Sequence, residues 1–200
     1  MRIAVFGISG RTGRAILEGA RERGLNLVAL VRPTANVPVA GHLRVYRGDL
    51  ADPGTVQQVV ANTRAVVCVL GPRPPFGDIF CAAGTGAIIS TMKACGVARL
   101  ICQTGAMIGP LPRTVSRPMR WAARRFAAAY PAVAADRAEQ EALVRASALD
   151  WTLVKPPRLT DRSSRRPVTA GPAISVGLLS SVGRPALAAF LLDEVLRPQF

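Results

Sequence analysis

Three glycines at intervals of three, Gly7, Gly10 and Gly13, stand between a short apolar run and a segment of helical period. A turn so placed brings bare backbone against a pyrophosphate, and the free N–H groups and partial positive charge of the helix start hold the anion. Gly7, Ser9, Gly10, Arg11, Thr12 and Gly13 are therefore candidate contacts of a dinucleotide. The spacing is G-x-x-G-x-x-G rather than G-x-G-x-x-G, and a tight turn without a ligand is the plainer alternative. The second apolar run ends in Val31-Arg32, where a site selective for NAD would put an acid on the ribose 2′-hydroxyl. A guanidinium there can pair with a 2′-phosphate, so Arg32 points to NADP over NAD, with Arg11 as its assistant and two ordinary surface arginines as the alternative. Asp49 and Leu50 follow the third run and suit the adenine, and Leu70 and Gly71 follow the fourth and suit the adenosine.

At the opposite end of such a cofactor, Thr104 sets a hydroxyl beside the expected nicotinamide, although satisfying a backbone group at a strand end is its other reading. Lys155 and Arg158, on either side of Pro156-Pro157, can stabilise negative charge developing on an acceptor. Neutralising cofactor phosphates, or facing solvent, are the alternatives for these two cations. Pro156 completes the candidate cofactor contacts. Asp136, Glu139 and Glu141 read as solvent-facing or paired with arginines rather than catalytic. No metal site is expected, because His42 is the single histidine and the four cysteines lack C-x-x-C spacing.

The elements that must position these residues alternate between β-branched apolar runs and amphipathic segments, the pattern of a parallel sheet with crossover helices. Strands are predicted at 2–6, 27–31, 43–46, 65–70, 97–103 and 151–154, with a short one near 174–176. Helices are predicted at 12–23, 53–61, 80–95, 116–130, 132–146 and 185–196. The fold class is thus α/β, a Rossmann-like doubly wound parallel sheet in three α/β/α layers, forming a single domain over residues 1–200. In the helix over 116–130, Trp121, Phe126 and Tyr130 are spaced for packing, and its arginines would lie on a solvated face or on a membrane surface.

Composition narrows the partners. Half the 200 residues are apolar and 19% are charged, which excludes global disorder. No run of 18 apolar residues occurs, so no membrane span is expected, and the cysteine usage and absent secretory pattern point to a cytoplasmic protein. The net charge is +14, and 24 of the 26 basic residues are arginine. The excess divides equally between the two halves of the chain and thickens at Arg113, Arg117, Arg120, Arg124 and Arg125, and again at Lys155, Arg158, Arg162, Arg165 and Arg166. Charge alone admits nucleic acid as a partner, but aromatic residues are only 5% of the chain and build no stacking platform, which makes a small molecule the better expectation.

The segments Ile3 to Gly13, Leu30 to Arg32, Gly48 to Leu50, Val69 to Gly71, Asp150 to Asp161 and Gly183 to Ala188 together resemble the atypical short-chain dehydrogenase/reductase group, nearest the NAD(P)H-binding proteins similar to biliverdin reductase B and flavin reductase. The resemblance covers nearly the whole chain. It implies NADPH as cofactor and hydride transfer to a flavin, quinone or similar conjugated acceptor, by a monomer or homodimer. It also admits a protein that senses NADP(H) with little or no turnover. The chain departs from that group where Gly105 and Arg158 stand in place of a serine and a histidine. Tyr130 is followed four residues later by Ala134, so the Tyr-x-x-x-Lys pair of ordinary members is missing.

Overall fold

The computed structural model describes residues 1–73, 75–162, 168–172 and 174–200. Six strands form one parallel sheet in the order β3-β2-β1-β4-β5-β6: β1 (Arg2–Phe6), β2 (Asn26–Val31), β3 (Leu43–Arg47), β4 (Ala65–Cys68), β5 (Arg99–Gln103) and β6 (Asp150–Val154). The order reverses between β1 and β4, and in such sheets the crevice at the carboxyl ends of these strands is where ligands bind. This is the Rossmann-like α/β fold.

Both faces of the sheet's centre are covered, so β1, β2 and β4 read as nearly continuous apolar runs. Ile3, Val5, Leu27, Ala29, Val67 and Ile101 point to one face, beneath α1 (Arg11–Glu22) and α6 (Arg184–Leu196). Ala4, Phe6, Val28, Leu30, Val66, Leu100 and Cys102 point to the other, beneath α2 (Pro53–Val60), α3 (Cys81–Ala94) and α5 (Pro131–Arg145). A further helix, α4 (Arg117–Ala129), precedes α5 and packs on it.

Local chemistry sets the helix ends. Asp52 accepts from the Gly54 N–H at 3.0 Å ahead of Pro53, and Ser116 accepts from the Met119 N–H ahead of Pro118. After α1, Gly24 takes a φ of +62°, which lets the Leu25 N–H reach back to the Ala20 carbonyl at 2.9 Å. The first turn of α3 is held from outside: the Asp136 carboxylate of α5 accepts from the Cys81 and Ala82 N–H groups at 3.0 and 2.9 Å.

Most predicted elements are present with ends moved by one to three residues. The strand expected near 174–176 is not formed. Instead, Arg158–Thr160 (β7) and Ser181–Gly183 (β8) pair in parallel as a separate two-stranded sheet, while Val176 and Ser175 make single bonds to Ser116 and Thr114. Trp121 does not pack as its spacing predicts: it is 62% exposed, whereas Phe126 and Tyr130 close on Phe76 with ring centroids 6.1 and 4.8 Å away. Arg165 and Arg166 of the second basic cluster lie outside the described residues.

A buried ion pair joins the amino-terminal end of β5 to α6. Arg99 donates to Glu194 at 3.0 Å, to Asp150 at 3.0 Å and to the Thr152 hydroxyl at 2.7 Å, and both Arg99 and Glu194 are sequestered from solvent. Removing one partner leaves an uncompensated buried charge, so Glu194→Ala is expected to cost about 3–5 kcal/mol, read as a lower urea midpoint.

Candidate functional site

The glycine turn is built as its spacing predicts. Gly7 sits at φ +96° hard against the end of β4, where a Cβ would lie 2.7 Å from the Val69 carbonyl oxygen. A Cβ on Gly13 would overlap the Gly7 carbonyl and the Ile8 backbone. Gly10 donates its N–H to the Gly7 carbonyl at 3.0 Å and serves as the N-cap of α1, which has no side-chain cap. Bare backbone, an uncapped helix start and no acid in the first turn fit a pyrophosphate. Ser9 lies in this turn, and its carbonyl accepts from Arg73 at 3.4 Å; Thr12 is buried at the helix start.

Around the turn the charge is positive. Arg32 is exposed immediately after β2. Its segment is tied down by Arg47, the register partner of Val31, whose guanidinium donates to the Pro33 and Ala35 carbonyls at 2.8 and 3.1 Å. Arg11 is exposed and lies 3.5 Å from Asp161, whose other oxygen pairs with Arg184 at 2.5 Å. Asp49 is exposed and accepts from the Ala51 N–H at 2.8 Å. Leu50 and Leu70 rest on Gly84 of α3, where a Cβ would meet them at 2.9 and 3.3 Å, and Gly71 is exposed beyond them.

Thr104, Lys155 and Pro156 meet at the carboxyl ends of β5 and β6, but the first two serve Glu141. The Thr104 hydroxyl, 5% exposed, donates to one Glu141 oxygen at 2.6 Å. The other oxygen accepts from Lys155 at 3.0 Å and from Arg145 at 3.0 Å. Lys155 also donates to the Ile108 carbonyl at 2.5 Å, and Gly109, at φ +60°, fits beside the carboxylate where a Cβ would meet it. Burial pushes the Lys155 ammonium below its usual 10.5, while the hydrogen bond and charge of Glu141 pull it back up. The Pro156 carbonyl accepts from the Ala106 N–H at 2.9 Å. Arg158 does not join this group; it opens β7 and is exposed.

Asp136 and Glu141 are thus buried, at 7% and 0% exposure, not solvent-facing. The sequence reading also omitted two neighbours. Arg137 donates to the Leu70 and Gln103 carbonyls at 2.7 and 3.3 Å, and Gln140 donates to the Thr85 hydroxyl at 2.9 Å and lies 3.6 Å from the Cys102 sulfur. The overlooked signal was spacing: positions 136, 137, 140 and 141 continue the stripe set by buried Val133 and Val144.

A cavity of about 700 Å³ opens beside the same strand ends. Ala106, Val115, Lys155, Pro156, Val176 and Phe190 of α6 are among the residues that line it. Lys155 is the one charged side chain among the described lining residues, and none of residues 7–13 contributes.

The sequence matches the NAD(P)H-binding family over residues 7–198, and the chain belongs to that family. It is 24% identical over 167 residues to an uncharacterised chloroplastic protein of Arabidopsis thaliana; the match takes in 78% of this chain but 58% of that relative's length. The fold is shared with a short-chain dehydrogenase/reductase of Veillonella parvula solved in complex with NADP, at 16% identity over 98% of this chain and 87% of that one, with a TM-score of 0.75. It is shared equally with ChuY, an anaerobilin reductase of Escherichia coli O157:H7, at 18% identity, 99% and 92% coverage and a TM-score of 0.73. Among the described residues no helix is long and apolar enough to cross a membrane.

Two outcomes are expected. Gly13→Val should displace the turn, abolish nucleotide binding and cost about 1–3 kcal/mol of stability, while Gly41→Ala, which meets open space, changes neither; isothermal titration and thermal melts read both. The folded Lys155 ammonium loses its proton more readily than the unfolded one, so between its folded value and 10.5 the unfolded chain binds more protons and stability rises with pH. Lys155→Met should flatten that rise in urea midpoints measured across the same alkaline range.

Proposed function

We propose that the chain is an oxidoreductase that binds NADPH in preference to NADH and reduces a flavin, quinone or similar conjugated small molecule. The observation that carries the reading is the glycine cradle at the uncapped start of α1, with Arg32 rather than an acid after β2. Gly7, Gly10 and Gly13 would admit the pyrophosphate, Arg32 with Arg11 would meet the 2′-phosphate, and Asp49, Leu50, Leu70 and Gly71 would flank the adenosine. Bound there, NADPH supplies a hydride, and the protein supplies orientation and electrostatics.

The apolar cavity beside Ala106 and Pro156 supports a large, flat acceptor. A flavin or quinone takes its proton from water once reduced, so the absent Tyr-x-x-x-Lys pair is no obstacle. Thr104 and Lys155, both bonded to Glu141, act here as positioning residues that fix the loop after β5. Arg158, exposed at the start of β7, contributes through the surface field rather than by contact. The similarity in fold to ChuY, a reductase by name, agrees with this class of chemistry.

The test is a titration with NADPH and NADH followed by nicotinamide fluorescence, with Arg32→Glu beside the wild type. NADPH affinity should fall roughly tenfold to a hundredfold in the variant, with NADH affinity little changed. Equal affinity of the wild type for the two cofactors would overturn the preference. NADPH binding without turnover of any flavin or quinone would make the chain a sensor of NADP(H) instead.

A further inference from the structure

Helix α4 divides its residues by face. Met119 and Ala123 are buried against the body, and Phe126 packs on Phe76. Arg117, Trp121, Arg124, Arg125 and Ala128 form the opposite stripe, and all are exposed. Arg120 is not part of that stripe; it donates to the Val115 and Leu111 carbonyls and ties the preceding loop to the helix. The exposed tryptophan is unusual for a soluble surface, and the Arg125 guanidinium lies over its ring at 5.4 Å.

Beside the amino-terminal end of α4 runs a second exposed apolar feature. The Ser116 N–H bonds the Val176 carbonyl, and the Ser175 hydroxyl bonds the Thr114 carbonyl, which fastens the segment around 174–180 to the helix start. Gly177 and Ser180 then close a tight turn through bonds of 3.1 and 3.0 Å. At its tip, Leu178 is 50% exposed and Leu179 is 91% exposed. Two leucines held out on a closed turn, next to a basic helix with an exposed tryptophan, cost solubility unless something covers them.

The electrostatics identify what covers them. Between Asp78 and Asp136 the chain has no acidic residue, while Arg113, Arg117, Arg124 and Arg125 stand on or beside this face. A second copy of the chain would bring the same positive charge to the contact and be repelled. A nucleic acid would match the charge, yet it has no use for aliphatic side chains at a turn tip, and the one aromatic is already stacked by Arg125. A bilayer with anionic headgroups matches every component: arginines for phosphates, tryptophan for the interface and leucines for the acyl boundary.

We propose that this face, the outward stripe of α4 with the 177–180 turn, docks the protein on an anionic phospholipid surface. The inference does not depend on the cofactor or the acceptor. Co-sedimentation with vesicles of phosphatidylcholine containing about one third phosphatidylglycerol should pull down the chain at low salt, and vesicles of phosphatidylcholine alone should not. Leu179→Asp should weaken partitioning by about tenfold or more through lost apolar burial, and Arg117→Glu with Arg124→Glu by more than about tenfold through lost charge. Unchanged far-UV circular dichroism and melting would show these variants folded. In a Trp151→Phe background, Trp121 is the one tryptophan left, and its emission should shift to the blue on the anionic vesicles. Absence of sedimentation, equal binding to neutral vesicles, binding indifferent to Leu179→Asp, or retention by RNA with none by vesicles would each overturn the proposal.

Discussion

Four polar side chains of one helix hold the ends of β4, β5 and β6 and the facing helix α3 in place, and the candidate site depends on that arrangement. Asp136, Arg137, Gln140 and Glu141 occupy the stripe of α5 that an ordinary amphipathic helix would fill with leucine or valine. Each is costly to bury alone and stable because it is met. Asp136 meets the start of α3, Arg137 the carbonyls after β4 and β5, Gln140 the Thr85 hydroxyl, and Glu141 the side chains at the ends of β5 and β6. The loops that border the crevice are thereby fixed by directional bonds rather than by packing alone, which narrows the positions they can adopt.

The glycine turn works by a different principle, close backbone approach. Gly7 lies against β4 and Gly13 lies against Gly7, so strand, turn and helix come together at distances that any side chain would forbid. The N–H groups of the helix start then face the crevice with no side chain competing for them. Bare amides and exposed arginines thus gather at the glycine turn, while the hydrogen-bonded ends of β5 and β6 stand beside an apolar cavity. That division suits a molecule charged at one end and flat and apolar at the other.

What could be read from the residues alone follows from the range of the forces involved. The strand runs and the roles of Gly7, Gly10 and Gly13 are local requirements of backbone geometry, and they were legible. Glu141 is paired with an arginine, Arg145, as one of its two readings has it, but the burial of Asp136 and Glu141 is decided by Cys81, Ala82, Thr104 and Lys155, which are distant in sequence. Thr104, Lys155 and Arg158 are singled out by residue type near predicted strand ends, but that Thr104 and Lys155 share the Glu141 carboxylate while Arg158 stands apart depends on the fold. β7 and β8 escaped notice because three-residue strands some twenty positions apart carry no periodicity. Trp121 has the spacing of a packed residue, and only the burial of Met119 and Ala123 shows which way the helix faces.

An open sheet has two unpaired borders, and the strand order puts β3 at one of them. Such a border offers a ready row of backbone partners to any extended chain, the usual seed of aggregation. Here Arg44, Val45 and Arg47 of β3 are all exposed, with the Arg44 guanidinium over the Tyr46 ring at 5.1 Å. A second molecule approaching edge to edge would have to bring like charges together. Part of the arginine excess thus guards the protein against itself, keeping a twisted, half-covered border from becoming a template.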